Sequence, residues 1–186
     1  ARWEKATGGF FVEGYGMTET SPIVAGTPMG PSRRLGALGL PFPSTDVRVV
    51  DPEDPDPARE VPDGEPGELL VRGPQVFAGY WEDEAATQAA MLPGRWLRTG
   101  DIVRREDSFL WMADRKRELI LTGGFNVYPS QVEAAIRSMQ SVADVAVVGL
   151  PDGAKGELVC AAVVLDERTA PDSVTLEAVR EHAERT

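Results

Sequence analysis

The sequence predicts an α+β protein in which a small β-barrel or sandwich is followed by a small α/β unit. The first half consists of short apolar runs separated by glycine and proline, which is the pattern of strands joined by turns. From about Glu118 the pattern becomes mixed, and apolar strand-like runs alternate with a helical periodicity. A chain of 186 residues is long enough for one large hydrophobic core or two small ones. We place the boundary between the two parts near residues 114–118.

The elements of the first part follow from apolar runs and from helix-forming residues. Strands are expected at residues 9–13, 46–50 and 68–72, with two more around Ile102 and Leu110. One helix is predicted from about Glu82 to Met91, because the segment is rich in Ala and Gln and stops at Pro93-Gly94.

The second part opens with a predicted hairpin, in which the turn 122–124 separates the apolar runs 119–121 and 125–127. A helix is expected to begin at Ser130, because Ser130 and Glu133 have the S-x-x-E spacing of a capping box. Two apolar strands follow at residues 142–150 and 158–165.

The chain is expected to end in a second helix. Asp172-Ser173 is the predicted N-cap of this helix, which runs through Glu184. The predicted order of the second part is therefore β-hairpin, α, β, β, α. The only histidine, His182, is expected at the surface near the end of this helix.

Composition restricts the class of protein. Thirty acidic and nineteen basic side chains give a net charge of −11, which repels nucleic acid and anionic membranes. No apolar run is long enough for a transmembrane segment. The single cysteine, Cys160, excludes an internal disulfide and is expected to be a buried thiol. These features favour a cytoplasmic protein and leave peripheral membrane association open; they do not predict an oligomeric state.

The charge is unevenly distributed. Residues 51–68 carry eight acids, one base and five prolines, a composition typical of a solvated loop. Residues 95–117 carry seven bases and four acids. This second stretch fits either a site for an anionic ligand or a solvated basic face.

A Gly-rich turn follows the first predicted strand. The segment Gly14-Tyr15-Gly16-Met17-Thr18-Glu19-Thr20-Ser21-Pro22 departs from the G-x-G-x-x-G dinucleotide fingerprint, because Glu19 replaces the third glycine. Tyr15 could stack on a planar base, Thr18 could donate to a phosphate, and Glu19 could bind Mg²⁺. An ordinary β-turn fits the same residues.

Two further segments carry polar groups suited to a nucleotide. In Trp96-Leu97-Arg98-Thr99-Gly100-Asp101, the carboxylate of Asp101 could accept hydrogen bonds from both ribose hydroxyls, although an aspartate ending a turn is equally compatible. In residues 114–118 and 122–129, guanidinium groups suit phosphate and ribose oxygens, and adjacent glycines let a ligand approach the backbone. A basic linker and a hairpin turn explain these residues equally well.

In this order, the segments resemble the adenylate-forming superfamily of acyl-CoA synthetases, luciferases and peptide-synthetase adenylation domains. Gly14–Pro22 is similar to the family's Y-G-x-T-E segment, Gly67–Trp81 to its next strand motif, Trp96–Asp101 to its T-G-D motif, and Asp114–Glu133 to the hinge and the entry to the C-terminal domain. The four motifs span about 120 of the 186 residues. The sequence G-F-N-V-Y-P-S-Q-V-E is most similar to medium- and long-chain fatty acyl-CoA synthetases.

The resemblance implies a division into domains. Residues 1–114 would be the β-rich end of the large N-terminal AMP-binding domain, residues 115–117 the hinge, and residues 118–186 a truncated C-terminal domain. Arg117 falls at the hinge position, where the family often has Lys or Asp. The C-terminal domain would rotate about this hinge between the two half-reactions.

The resemblance also implies a function for the site residues. Gly14, Tyr15, Gly16 and Thr18 would bind ATP or AMP, with Tyr15 stacked on adenine and Thr18 at the α-phosphate. Glu19 would bind Mg²⁺, and Asp101 and Arg115 would bind the ribose. Gly123 and Gly124 would line the channel for the pantetheine of CoA.

The implied activity is that of an AMP-forming acid–thiol ligase. A fatty acid would attack ATP to give acyl-AMP and pyrophosphate, and the thiol of CoA would then displace AMP. There are two alternatives. One is a ligase that passes the acyl group to a carrier protein, and the other is a binding module without catalytic activity. Acyl chain length is not predicted, because the acid-binding pocket is expected largely outside this sequence.

Two family elements are not found in the sequence: the phosphate loop before the Y-G-x-T-E segment and the C-terminal lysine that assists adenylation. The 186 residues therefore contain no predicted catalytic residue, and the isolated chain is expected to be inactive. ATP–pyrophosphate exchange assays measure this directly, and detectable exchange by the isolated chain would contradict the expectation.

Overall fold

A computed structural model describes residues 2–153, 156–169 and 174–185. The chain divides into two compact units, Ala1–Met112 and Ala113–Thr186, here called the first and second units. Sheets dominate and helices are few, which confirms the mixed α and β class predicted from the sequence. No helix in the described ranges combines the length and the apolar character needed to cross a bilayer.

The first unit contains two antiparallel sheets and two short helices. Its helices are α1 (Arg2–Thr7) and α2 (Glu84–Ala90), and its strands are β1 (Gly14–Gly16), β2 (Ile23–Gly26), β3 (Leu40–Pro41), β4 (Asp46–Val50), β5 (Gly67–Arg72), β6 (Met91–Leu92), β7 (Trp96–Glu106) and β8 (Phe109–Arg115). One sheet has the order β1-β2-β3, and the other has the order β4-β5-β7-β6, with β8 also paired to β7. The division between the two units falls within β8.

One hydrophobic core serves both sheets of the first unit. Tyr15 and Val24 from the first sheet share a buried cluster with Leu69, Leu97 and Leu110 from the second. The central strand β5 is buried along residues 67–71, which fits its apolar residues 69–71. This shared core fixes the Gly-rich turn that follows β1 against the strands around β7.

The second unit contains one four-stranded sheet covered by two helices. Its strands are β9 (Ile120–Thr122), β10 (Phe125–Val127), β11 (Val142–Asp152) and β12 (Gly156–Leu165), and its helices are α3 (Pro129–Arg137) and α4 (Leu176–Arg185). The sheet order is β10-β9-β12-β11. The predicted order of hairpin, helix, two strands and helix is confirmed.

Most predicted elements of the first unit are found, but the strand at residues 9–13 is wrong. Phe10, Phe11 and Val12 are all exposed, so no face of this segment is buried in a way that would favour a strand. Pairing begins only at Glu13, whose carbonyl accepts a hydrogen bond from the Thr27 amide (2.8 Å). The helix α1 was not predicted.

The predicted capping box at the start of α3 is also wrong. The N-cap is Tyr128, which makes no side-chain cap hydrogen bond. The Ser130 hydroxyl instead donates to the carbonyl of Ala113 (2.5 Å), and Glu133 Oε1 accepts from the amide of Val147 (2.9 Å). The Ser130 hydroxyl and the Glu133 carboxylate, which would form a capping box, therefore make tertiary hydrogen bonds instead.

The side chain of Glu133 contributes to a second feature, the protection of a sheet edge. β11 is an edge strand, and such strands expose backbone groups that can pair with other chains. Besides the Glu133 bond, Arg137 Nη2 donates to the carbonyl of Val145 (3.0 Å). Two side chains of α3 thus cover part of this edge.

Two predictions about single residues of the second unit need correction. Cys160 is half-buried, not fully buried, and the other residues of β12 are likewise half-buried or exposed. His182 is half-buried, and its Nε2 lies 2.7 Å from Ser138 Oγ, so it joins α4 to α3. The predicted N-cap at Asp172-Ser173 lies outside the described residues; among the described ones, Thr175 Oγ1 accepts from the Ala178 amide (3.2 Å).

The predicted solvated loop 51–68 is largely irregular, but its last residue is buried. Glu68 is 1% exposed in β5, and Arg98 holds it with two hydrogen bonds, Nε to Oε1 (3.2 Å) and Nη2 to Oε2 (2.7 Å). Glu60 is also paired, because Arg105 Nη1 donates to its Oε2 (2.8 Å). These bridges connect the acidic segment to the basic one.

The ion pair of Glu68 leads to a stability prediction. The substitution Arg98→Met removes the bidentate partner of a buried carboxylate, and we expect it to lower the free energy of unfolding by about 3 kcal/mol. The matched control is Arg59→Met, because Arg59 pairs with Asp54 and Asp56 at an exposed site, where a pair is worth at most about 1 kcal/mol. Urea titration of both variants measures the difference. Equal losses would contradict the prediction.

Candidate functional site

The Gly-rich turn after β1 is held by one buried hydroxyl. Residues Thr18–Thr20 form a single turn of 3-10 helix, and Thr20 is fully buried. Thr20 Oγ1 accepts from the Met17 amide (3.1 Å) and lies 2.9 Å from the carbonyl oxygens of Met17 and Pro22. The turn therefore has a fixed shape, with Thr18 exposed and Glu19 half-buried.

Gly16 permits the chain to return close to itself at this turn. A Cβ atom at Gly16 would lie 1.7 Å from the carbonyl oxygen of Pro22 and 2.8 Å from Cα of Ile23. Both are backbone atoms, so no side-chain movement could relieve the overlap. The pairing of β1 with β2 is also irregular between Tyr15 and Gly16, which turns the following residues away from the strand.

Asp101 lies on a bulge within β7. Leu70 pairs with Arg98 and Glu68 pairs with Ile102, so residues 99–101 stand opposite a single residue of β5. The bulge is fixed by Thr99, whose Oγ1 donates to the carbonyl of Leu69 (2.8 Å) and accepts from the Asp101 amide (3.1 Å). The sequence predicts a strand around Ile102, and the observed strand β7 extends on both sides of Asp101.

The bulge brings Asp101 to Tyr15. The Tyr15 hydroxyl donates to Asp101 Oδ2 at 2.6 Å, a short distance typical of a hydrogen bond to a charged acceptor. The two residues are 86 positions apart in the chain, and the sequence proposed them separately. The structure thus joins the aromatic ring of the first motif to the carboxylate of the second.

Glu19 is held at two points by a neighbouring segment that precedes α2. Its carbonyl accepts from the Phe77 amide (2.8 Å), and its Oε1 accepts from the Tyr80 hydroxyl (2.8 Å). This hydrogen bond, with partial burial and the carboxylate charge, raises the pKa of Tyr80 above its usual value. Tyr80 lies within the motif Gly67–Trp81, but sequence reasoning gave it no function.

The residues near Glu19 can be tested for their fit to magnesium. No group of three or more His, Cys, Asp or Glu side chains that could hold a metal is present in the described ranges. Magnesium, however, is commonly bound through one or two carboxylates together with substrate phosphates. A single carboxylate such as Glu19 fits a magnesium ion of that kind and does not fit a metal held by protein alone.

The remaining predicted site residues lie in the second unit. The side chain of Arg115 is exposed, and its amide donates to Asp114 Oδ1 (2.8 Å). Asp114 is buried and also accepts from the Ser130 amide through Oδ2 (3.1 Å), a function that the sequence did not indicate. The backbone of Arg117 lies in a 3-10 turn, Lys116–Glu118, and its side chain is outside the described atoms.

Gly123 and Gly124 form the tight turn between β9 and β10. Their φ angles are +59° and +85°, a combination that favours glycine at both positions of a two-residue hairpin loop. A Cβ atom at either glycine would have no heavy atom within 4 Å. The turn is therefore open and sterically accessible to a ligand chain.

Three of the seven basic residues in the stretch 95–117 form ion pairs with carboxylates in the described structure. Arg98 pairs with Glu68, Arg104 with Glu106, and Arg105 with Glu60 and Asp63. These three arginines stabilise the fold through ion pairs. They give no support to an anionic ligand site spread along the whole stretch.

Two family models match the chain: AMP-binding enzyme over residues 1–81 and AMP-binding enzyme C-terminal domain over residues 131–186. The long-chain-fatty-acid–CoA ligase of Salmonella typhimurium is 44% identical over 182 residues, 97% of this chain and 32% of that protein. The ligase of the same name from Bacillus subtilis is 39% identical, over 95% of this chain and 31% of that protein. The chain spans about a third of the length of the curated relatives it matches.

Solved structures resemble this chain over nearly its whole length. ATP-bound MatB from Rhodopseudomonas palustris matches with a TM-score of 0.82 and 34% identity, covering 98% of this chain and 35% of that one. The o-succinylbenzoate CoA synthetase of Bacillus subtilis, in complex with an acyl-adenylate intermediate, matches with a TM-score of 0.72 and 30% identity, over 97% of this chain and 36% of that one.

Proposed function

Because the chain belongs to the AMP-binding enzyme family, we propose that the protein carrying it is an ATP-dependent fatty acyl-CoA synthetase. In the first half-reaction a fatty acid carboxylate attacks the α-phosphorus of ATP, which forms acyl-AMP and releases pyrophosphate. In the second, the thiol of CoA attacks the acyl carbon and AMP leaves. The observation that carries the proposal is the hydrogen bond between Tyr15 and Asp101, beside the turn that holds Glu19.

This cluster is suited to the adenosine part of ATP. We assign Tyr15 to stacking on adenine, an interaction to which its aromatic ring is suited. We assign Asp101, with Arg115, to the ribose hydroxyls, which a carboxylate accepts through charge-assisted hydrogen bonds. A hydrogen bond joins Tyr15 to Asp101. The ring assigned to adenine and the carboxylate assigned to the ribose are therefore held in one arrangement before ATP binds.

The turn after β1 is suited to the phosphates. Thr18 is exposed, and we assign its hydroxyl to the α-phosphate, with Gly14 and Gly16 allowing the nucleotide to approach the backbone. We assign Glu19 to magnesium, which would offset the charge that builds up on the phosphates during attack. The open turn at Gly123 and Gly124 is our assignment for the contact with CoA.

We propose a domain division that matches these assignments. Residues 1–114 form the β-rich end of the N-terminal domain, a small barrel or sandwich, and residues 118–186 belong to the C-terminal domain. Residues 115–117 form the hinge, and Arg117 is the residue at the hinge position. Support comes from the two family models, which match on either side of these residues.

The names of the relatives support a fatty acid as the substrate. Seven of them, including those of Salmonella typhimurium and Bacillus subtilis, are long-chain-fatty-acid–CoA ligases at 38–47% identity. A relative from Oryza sativa, 40% identical over 155 residues, is named 4-coumarate–CoA ligase-like. These names refer to acids of different chemistry, and the fatty acid is the one that seven of these eight relatives share.

The acceptor of the acyl group is the point at which this proposal is tested. The full-length protein is incubated with a fatty acid, MgATP and either CoA or a phosphopantetheinyl carrier protein, and the acylated product is identified by mass spectrometry. We expect acyl-CoA. Acylation of the carrier alone would overturn the assignment as a CoA ligase while leaving adenylate formation intact.

A further inference from the structure

Tyr80 is anchored on three sides although much of its surface is exposed. It is 40% exposed, so burial of its ring does not explain its fixed position. Its amide donates to Thr87 Oγ1 (2.9 Å), and the same oxygen donates to the carbonyl of Asp83 (2.8 Å). Its ring meets that of Phe77 edge-on, with centroids 4.8 Å apart.

The residue before Tyr80 is adapted to this anchoring. Gly79 has a φ of +154°, and a Cβ atom there would lie 2.7 Å from Cγ2 of Thr87. The backbone therefore passes close to α2 at Gly79, and Tyr80 follows at a fixed distance from that helix. The helix in turn is capped by Asp83, whose carboxylate accepts from the Ala86 amide.

The hydroxyl of Tyr80 is the polar end of this arrangement, and it meets Glu19. The distance from Tyr80 Oη to Glu19 Oε1 is 2.8 Å, while the Phe77 amide holds the Glu19 carbonyl from the same segment. The backbone and the carboxylate of Glu19 are thus both fixed by residues 77–80. In the described part of the chain, the side-chain hydrogen bond to the Glu19 carboxylate comes from Tyr80 and is made to Oε1, not to Oε2.

Such a contact has a known chemical use. A carboxylate that binds a metal through one oxygen is oriented by a hydrogen bond to the other, and loss of that outer partner typically weakens metal binding 10- to 100-fold. We propose that Tyr80 is a positioning residue of this kind: its hydroxyl holds Glu19 Oε1 and thereby presents Oε2 to the magnesium ion of MgATP. This inference rests on the proposed function of Glu19.

The test compares four forms of the full-length protein: wild type, Tyr80→Phe, Glu19→Gln and the double variant. Calorimetric titration gives the dissociation constant of ATP with and without Mg²⁺. The dissociation constant without Mg²⁺ divided by the one with Mg²⁺ measures how much the metal contributes to binding. We expect Tyr80→Phe to lower this ratio about tenfold and to leave binding of metal-free ATP unchanged. In the Glu19→Gln background, Tyr80→Phe should add no further loss.

Two further variants separate positioning from folding. Trp81→Phe alters the adjacent, 89% exposed aromatic residue and should leave the ratio unchanged. Thr87→Val removes the acceptor of the Tyr80 amide but keeps the Tyr80 hydroxyl, and should lower the ratio only when Glu19 is present. Because Phe keeps the ring against Phe77, the melting temperature of Tyr80→Phe should stay close to that of wild type.

Three results would overturn the inference. If Glu19→Gln lowers the ratio and Tyr80→Phe does not, Tyr80 has no part in metal binding, and the assignment of Glu19 stands. If Tyr80→Phe causes the same loss in both backgrounds, it acts through the fold and not through Glu19. If Glu19→Gln itself has no effect, the magnesium assignment fails, and the function of Tyr80 fails with it.

Discussion

Replacing Glu19 by alanine is expected to slow acyl-adenylate formation by the full-length protein about 10²–10³-fold, the equivalent of the several kcal/mol that a metal contributes to a charged transition state. The turn that carries Glu19 is held by the buried hydroxyl of Thr20 and does not depend on the Glu19 side chain. The loss should therefore appear in the rate of ATP–pyrophosphate exchange and not in stability.

A matched control is available on the surface of the same unit. Glu65 is an exposed acid in the irregular segment before β5, and Glu65→Ala makes the same change in charge without touching the site. Its exchange rate should equal that of wild type. If Glu19→Ala retains more than a tenth of the wild-type rate at saturating magnesium, Glu19 is not the residue that binds the metal.

The substitution Gly16→Ala is expected to have the largest effect on structure. The added Cβ atom would meet two backbone groups, the Pro22 carbonyl at 1.7 Å and Ile23 Cα at 2.8 Å, so the turn itself must move. We expect a loss of about 3 kcal/mol or more in the free energy of unfolding, at or above the upper end of the range for overpacked sites. Displacement of the turn should also raise the KM for ATP, because Thr18 and Glu19 move with it.

Gly14 provides the control, because it lies in the same strand two residues earlier. A Cβ atom there would have its nearest heavy-atom neighbours at 3.7 Å, an ordinary packing distance. Gly14→Ala should therefore change the free energy of unfolding by no more than about 1 kcal/mol. Urea titration of the two variants side by side measures the difference, and similar values for both would show that the turn can adapt to a side chain at Gly16.

The sequence singles out Tyr15, Glu19 and Asp101 as candidate site residues, but it does not predict the contacts between them and their neighbours. Tyr15, Glu19 and Asp101 were marked by short motifs in a characteristic order. The hydrogen bond from Tyr15 to Asp101 depends on a bulge at residues 99–101. This bulge arises because the register between β5 and β7 shifts between Glu68 and Leu70. Nothing in the local sequence reveals a register between strands 30 residues apart, so this contact emerged only from the structure.

Elements whose pattern is local were predicted well. The strand Asp46–Val50 is found at its predicted residues, and the turn at Gly123 and Gly124 has the positive φ angles that adjacent glycines favour. The failures have a tertiary cause. Ser130 and Glu133 have the spacing of a capping box, yet their side chains bond to Ala113 and Val147, residues distant in the sequence.

For Tyr80, the sequence indicates the motif that contains the residue but not its hydrogen bond to Glu19. The sequence Gly67–Trp81 resembles a family segment, but that resemblance does not assign a function to any residue within it. Its connection to Glu19 spans 61 positions and requires both the turn after β1 and the segment before α2 to be in place. Only the folded arrangement brings the phenol to the carboxylate.

The most direct test of the central claim is the identity of the products that the full-length protein forms from ATP. Wild-type protein is incubated with a fatty acid, MgATP and CoA, and the phosphorus species are followed by ³¹P NMR. The proposed function predicts AMP, pyrophosphate and acyl-CoA in equal amounts, with no consumption of ATP when the acid is omitted. Formation of ADP and inorganic phosphate, or consumption of ATP that does not depend on the acid, would contradict it.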